Sequence, residues 1–394
     1  MDKYINKFFK HLQIYEDLHH RRKYKSTIIK AVAKFLDRGD SDSAYSVYKA
    51  FFNAYWIGIQ GVKNPFLGLT EKIKQYEENA GRLIDYQRDH YVHSVNVFLL
   101  GLSIYSGNKK YQKHFNDYAL NKSIYPDSYD TNDEEFFYRW GLASLFHDIG
   151  YPIEITLKQA NKYFDFVWGY PEENQSKRRS FIELPHFDEF VWLPKLKPSA
   201  KHSKEFYEKY PQIKLLLNND SVSLLSEYLA TRLGAPTKSI KKGMTLFIKS
   251  MREDGFVDHG FYSAVIMSRW YYCLLKTTKW NPAYFYYPIL DSASAILMHN
   301  YYKNVLIKKP YMLGPLKASQ HPIAYLLMLS DEIQDWNRKA YGVNDTPVCQ
   351  KKIGLLVNDN ELKISYKKRY VSHVRNKSFV IDVKDVFMRG VKIT

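Results

Sequence analysis

The stretch that most restricts how this chain can fold is Leu142-Ala-Ser-Leu-Phe-His147-Asp148-Ile-Gly150-Tyr-Pro-Ile-Glu154. Its first part is an apolar run with no helix breaker, and Gly150 and Pro152 then stop it. A buried helix that ends on adjacent His and Asp brings an imidazole nitrogen and a carboxylate oxygen to one spot. That pairing suits a borderline divalent cation such as Zn, Mn, Fe or Co. A lone His-Asp also fits a capped helix end with a satisfied histidine, so the other apolar segments decide its meaning.

Several of them repeat the arrangement. A long helix is expected from Ile84 to Tyr105, where His90 and His93 lie three apart and share a face. Asp258-His259-Gly260 leads into the amphipathic run Phe261 to Trp270. Pro288 to Asn300 reads as a helix whose alanines and serines permit close packing, and it ends on His299. In His321 to Trp336 a carboxylate, Asp331, stands inside an apolar helix. A buried carboxylate without partners is costly, so Asp331 is expected to meet a cation or several donors.

The order His93, His147-Asp148, His259, His299, Asp331 resembles the binuclear branch of the HD-domain superfamily of metal-dependent phosphohydrolases, over roughly residues 84 to 340. His93-Ser-Val-Asn-Val97 looks like that family's first histidine motif, which selects His93 as ligand and leaves His90 as a neighbour or substrate contact. The resemblance implies two divalent ions (Mn, Fe, Co, Ni, Zn or Mg) bridged by Asp148. His93, His147 and Asp331 would complete one site, and His259 and His299 would serve the other. The mononuclear members of the family use only the first His, the His-Asp pair and the last Asp. Tyr151 stands where several relatives carry lysine, so no lysine role transfers to it. Gly169-Tyr-Pro171 matches a cyclic-dinucleotide phosphodiesterase triplet by letter, but no paired histidines lie near it.

Composition bounds the rest. Hydrophobic residues make up 45% of the 394 and charged residues 25%, which is globular rather than disordered. Aromatics reach 16%, with 34 Tyr, a side chain that packs while still hydrogen-bonding. Cys273 and Cys349 are the only cysteines, so no disulfide framework is expected and a reducing, cytoplasmic setting fits. No stretch approaches the roughly 20 apolar residues of a membrane span, and no membrane partner is expected. The net charge of +17 favours polyanions: a phosphorylated small molecule or nucleic acid.

The fold expected is mainly α-helical, an HD-type helical bundle flanked by two smaller parts. Residues 1–83 read as an N-terminal helical extension, with helices around Ile5 to Tyr15, Ile28 to Leu36 and Tyr45 to Ile59. His19-His-Arg-Arg-Lys-Tyr-Lys25 reads as a solvated basic face, and Arg38 to Ser43 as a loop able to cap the next helix. The metal-binding domain spans 84–344. Within it, residues 106 to 133 read as a polar surface excursion and 155–255 as an insertion or lid. That insertion is broken by prolines, carries helices near Phe206 to Leu217, Ser221 to Leu233 and Thr245 to Met251, and bears Arg178, Arg179, Lys201, His202, Lys241 and Lys242. Residues 345–394 form a small β-containing element, with a hairpin across Asn358-Asp-Asn360.

Function follows from the resemblance. The chain is expected to be a phosphohydrolase acting on a nucleotide, cyclic nucleotide or nucleic-acid end, with hydroxide activated by the metals. The catalytic set would be His93, His147, Asp148 and Asp331, with His90 or Asp331 passing protons. Two alternatives share parts of the signature. One is an HD-type di-iron oxygenase acting on a small alcohol or phosphonate, and the other a non-enzymatic basic helical protein that grips nucleic acid.

Overall fold

In the computed structural model of the chain, residues 1–20, 22–55, 65–80, 90–119, 132–167, 191, 220–254, 256–277, 282–334, 336, 353–365 and 380–394 are described. The helices run in chain order: α1 (Asp2–His11), α2 (Tyr15–His20), α3 (Tyr24–Arg38), α4 (Ser41–Ala54), α5 (Pro65–Ala80), α6 (His90–Gly107), α7 (Lys109–Ala119), α8 (Asn132–Phe146), α9 (Tyr151–Val167), α10 (Ser221–Leu233), α11 (Thr237–Asp254), α12 (His259–Thr277), α13 (Pro282–Tyr301) and α14 (Pro322–Ile333). Strands β1 (Gly354–Val357), β2 (Leu362–Ser365) and β3 (Val391–Ile393) follow. The protein is mainly helical with a small C-terminal sheet, as expected. No helix among the described residues is long and apolar enough to cross a membrane.

The chain divides into two compact units, Met1–Phe146 with Pro310–Thr394, and His147–Lys309. The expected borders at 83/84 and 344/345 both fall within the span of the first unit, and 155–255 falls within the second.

Capping sets several helix starts. Asp40 Oδ1 accepts from Ser43 N at 2.8 Å to open α4, and Asp220 does the same for Ser223 N at 2.6 Å to open α10. Both Asp17 carboxylate oxygens accept from the start of α3, Tyr24 N at 2.7 Å and Lys25 N at 2.9 Å. Lys25 Nζ donates to Leu12 O at 2.6 Å, so this end of the basic run ties α1 to α3 rather than standing free in solvent.

In the first unit α6, which carries His93, is buried along almost its whole length and lies against α8, the helix that leads into His147, as expected. Trp140 Nε1 donates to Phe98 O at 2.8 Å, and a Cβ at Gly101 would lie 2.1 Å from the Trp140 ring, so the close approach requires glycine. The excursion expected at 106 to 133 is corrected: α7 occupies part of it. Tyr111 and Phe115 are fully buried, and Phe115 meets Phe136 edge-on at 5.2 Å. Two apolar positions four residues apart are enough to bury a helix whose other faces are polar.

β1 pairs antiparallel with β2 (Val357 opposite Leu362), and β2 pairs parallel with β3 (Leu362 opposite Val391). The sheet is fastened to the helices by polar groups. Tyr4 Oη donates to Val357 O at 3.0 Å and accepts from Val357 N at 2.8 Å. Asn108 is fully buried. Its Oδ1 accepts from Tyr111 N at 2.7 Å, capping α7, and its Nδ2 donates to Asn358 O at 3.0 Å and Val386 O at 3.4 Å. Asn108→Ala is therefore expected to destabilise this unit by about 2–3 kcal/mol, because a cap is lost and two carbonyls lose a donor. Asn108→Asp keeps the cap but sets a buried carboxylate oxygen against two carbonyl oxygens, so it should cost more still, and a urea-unfolding series ranks the two variants.

In the second unit α10 and α13 are joined by a buried charge. Asp291, fully buried, accepts from Tyr228 Oη at 2.9 Å and lies 3.3 Å from Arg232 Nη2. α11 runs well beyond the expected Thr245 to Met251, starting directly after Pro236, while α10 has the span expected. The helix expected near Phe206 to Leu217 lies outside the described residues, as do Arg178, Arg179, Lys201, His202 and Gly169-Tyr-Pro171.

Candidate metal centre

The apolar run of α8 ends at Phe146, and residues 147–150 form a turn before α9 begins at Tyr151. Pro152 does not stop the chain there, since it occupies the first turn of α9, where proline is tolerated. The turn is closed by Tyr151 N donating to Asp148 O at 2.9 Å. It is also pinned to α12, because Gly150 N donates to Ser263 Oγ at 2.8 Å. A Cβ at Gly150 would come within 2.5 Å of His259 O and 2.8 Å of Ser263 N, so only glycine lets the turn sit this close. That contact sets Asp148 beside the first residue of α12, His259.

Asp258 opens α12 by accepting from Phe261 N at 2.7 Å. His259 Nδ1 then meets Glu154 Oε2 of α9 at 2.6 Å, and His259 N donates to the same oxygen at 3.3 Å. The Lys158 ammonium holds the other Glu154 oxygen. With Nδ1–H committed to Glu154, His259 turns Nε2 toward Asp148 Oδ1 at 3.4 Å, His299 Nε2 at 3.2 Å and Asn300 Nδ2 at 3.2 Å. His299, at the end of α13, is oriented the same way by donating Nδ1–H to the Ile296 carbonyl. Gly260 makes room for its ring, since a Cβ there would lie 2.8 Å from His299 Cε1. His147 is buried in the same unit, with Nε2 at 3.1 Å from Asp148 Oδ2 and its ring edge-on to His299 at 5.5 Å.

Burial favours the neutral forms of both Glu154 and His259. The hydrogen bond and charge between them outweigh it, so Glu154 is held down to about 2 and His259 is raised to about 9, with Asp148 adding to the second shift. A positive charge is thus favoured at the point shared by Asp148, His259 and His299. A divalent cation is the other species that would supply one.

In the first unit, His93 lies near the start of α6 with Nε2 at 2.9 Å from Asp331 Oδ1 of α14. Its Nδ1–H donates to Gln334 Oε1, and the Gln334 amide nitrogen donates in turn to Trp336 O. The direction of that amide leaves His93 Nε2 as the nitrogen available to a cation. Asp331 is not buried as expected: its side chain is 25% exposed, because it sits in the last turn of α14. His90, half-buried at the head of α6, stands edge-on to His93 with ring centroids 6.5 Å apart.

Comparison with protein-family models, with curated proteins and with solved structures finds no match. The chemistry of the site is therefore judged from its own atoms. Asp148, His259 and His299 present three ligand atoms that all lie within 4.8 Å of one another, a grouping that can hold a metal ion. For bonds of about 2.0–2.1 Å, neighbouring corners of a tetrahedron lie roughly 3.3 Å apart. The 3.2 Å between the imidazole nitrogens and the 3.4 Å to the Asp148 oxygen fit that edge. Each histidine also donates its second nitrogen to a carboxylate or a carbonyl, the usual support of a metal-ligating imidazole.

Glu154, Gln334 and Asn300 were not assigned roles from the sequence. Gln334 follows the last residue of α14, three positions after Asp331, a spacing that offers a signal. Glu154 and Asn300 are recognised only once α9, α12 and α13 pack together.

Proposed function

We propose that this chain is a metal-dependent phosphohydrolase of the HD type, cleaving a phosphoester of a nucleotide, cyclic nucleotide or nucleic-acid end. What carries the reading is the grouping of the Asp148 carboxylate with the imidazoles of His259 and His299, whose Nε2 atoms meet while both Nδ1 atoms are already committed. Asp148, His259 and His299 would hold one cation. His93 and Asp331, together with His147 by the resemblance, would hold the other. Bound divalent ions acidify coordinated water and polarise phosphoryl oxygens. The chain's own part is to fix its imidazoles as neutral Nε2 ligands and to supply carboxylate charge. His90, beside His93, is assigned to accepting and returning the proton of the attacking water. A panel of phosphoesters supplied with Mn, Co, Ni or Mg should yield phosphate, pyrophosphate or a nucleotide from at least one candidate. Release from none would end this reading.

Glu154 is expected to act on metal affinity rather than on the fold. Glu154→Ala frees His259 to rotate and should weaken the Asp148/His259/His299 ion by about 10–100-fold. Glu154→Gln retains an acceptor for Nδ1–H and should recover part of that loss. Calorimetric titration of each variant with Mn or Zn measures it, and an unchanged affinity in Glu154→Ala would limit Glu154 to holding Lys158.

A further inference from the structure

Five cations stand on α11, at Lys238, Lys241, Lys242, Lys249 and Arg252, and all are exposed. At about 100° per residue they fall, with Thr245, inside an arc of roughly 100°. The buried residues of the helix, Ile240, Met244, Phe247 and Met251, occupy the opposite side. The stripe holds no acid before Glu253, which lies 3.5 Å from Lys249. From Lys238 to Arg252 it runs about 21 Å, at roughly 1.5 Å per residue.

Beyond the end of α11 stands Phe256, 39% exposed, with its ring 6.0 Å from Phe247. Phe247 in turn meets Phe261 at 6.5 Å and Tyr301 at 5.2 Å, the residues two beyond His259 and two beyond His299. The Arg252 charge acts on the Tyr262 hydroxyl, opposing the rise that burial imposes on it. The basic stripe thus ends against the two helix segments that carry the candidate ligands.

We propose that α11 and Phe256 form a sequence-independent docking track for single-stranded nucleic acid, which leads a strand end toward Asp148, His259 and His299. Lysines at helical spacing meet successive phosphates, and an exposed aromatic ring offers a stacking platform that only an unstacked base can use. A membrane surface fits less well. A helix lying in the lipid interface needs a free apolar face, and that face of α11 is buried in its own unit. The delivery of a strand end rests on the hydrolase reading above, whereas the binding does not.

The experiment is fluorescence anisotropy of a labelled oligothymidine, about 20 nucleotides long, with the full chain in EDTA across a salt series. The unmodified chain should bind the single strand more tightly than the matching duplex. The triple variant K241Q/K249Q/R252Q should bind at least tenfold more weakly, and the slope of log K against log salt should shrink by about 2, at roughly 0.7 per lost phosphate contact. Phe256→Ala should weaken binding with the slope unchanged. A control triple on α3 and α1, K10Q/K30Q/K34Q, should change neither. Equal loss in the control, or an unchanged slope in the α11 triple, overturns the proposal. So does loss of binding to anionic phosphatidylserine vesicles with oligonucleotide binding intact. Because metal is withheld, failure here is distinct from failure of the phosphoester panel.

Discussion

Asp148→Asn should abolish the proposed phosphohydrolase activity, by about 10³-fold or more, while leaving the helical fold in place. The substitution conserves shape in a site where the carboxylate is nearly buried, so packing changes little. What changes is charge. In the cluster with His259 and His299, Asp148 is the one anion, and two neutral imidazoles hold a divalent cation weakly without it. The resemblance also implies that Asp148 bridges two ions, in which case its loss leaves them repelling each other with less negative charge between. Losing several kcal/mol of stabilisation at a developing phosphoryl charge corresponds to three or more powers of ten in rate. Far-UV circular dichroism and a thermal melt, beside the rate, separate this from unfolding. A variant that retains metal and more than a tenth of the rate would remove Asp148 from the centre of the mechanism.

Arg139→Ala should have the largest effect on stability of the substitutions considered. Arg139 and Glu135 lie one turn apart on α8, 1% and 3% exposed at the side chain, with Arg139 Nη2 at 2.5 Å and Nε at 2.6 Å from Glu135 Oε1. Glu135 raises the pKa of the neighbouring Tyr138 on top of the larger effect of burial, so its charge is felt in the core. Removing the guanidinium leaves a buried carboxylate without its cation, at a cost of about 3–5 kcal/mol. The double variant E135Q/R139M removes both charges and should lose far less, since a buried ion pair replaced by neutral groups of similar volume is close to neutral in stability. Urea midpoints for the two singles and the double form the cycle. A double variant as unstable as Arg139→Ala would show that shape, and not charge, holds this part of α8.

The helices were legible wherever apolar spacing and a cap coincided. The Ser221 start of α10 lies where the sequence places it, after Asp220, and the Asn358-Asp-Asn360 turn marks the hairpin. α4 instead begins at Ser41, inside the loop expected over Arg38 to Ser43 and four residues before the expected Tyr45, because the Asp40 cap starts the helix at once. α7 was not legible, because its buried Tyr111 and Phe115 stand among polar residues and the cap that starts it, Asn108, is held by residues 250 and more positions away. The candidate ligands were legible as residue types at the ends of apolar segments. Their supports were not. Glu154 lies 105 residues from His259, and Gln334 lies 241 from His93, so neither hydrogen bond leaves a local pattern. Asp331 shows the opposite error: an apolar neighbourhood in sequence suggested burial, yet the last turn of α14 leaves its side chain partly in solvent.

The claim on which the proposed function depends is that Asp148, His259 and His299 hold a divalent cation. Elemental analysis of the full chain after equilibrium dialysis against Mn or Zn tests it most directly, run beside His259→Ala and His299→Ala. The account predicts about two ions per chain for the unmodified protein and about one for each variant, with unchanged helical content. Variants that keep the full metal complement, or an unmodified chain that binds no ion at all, would contradict it.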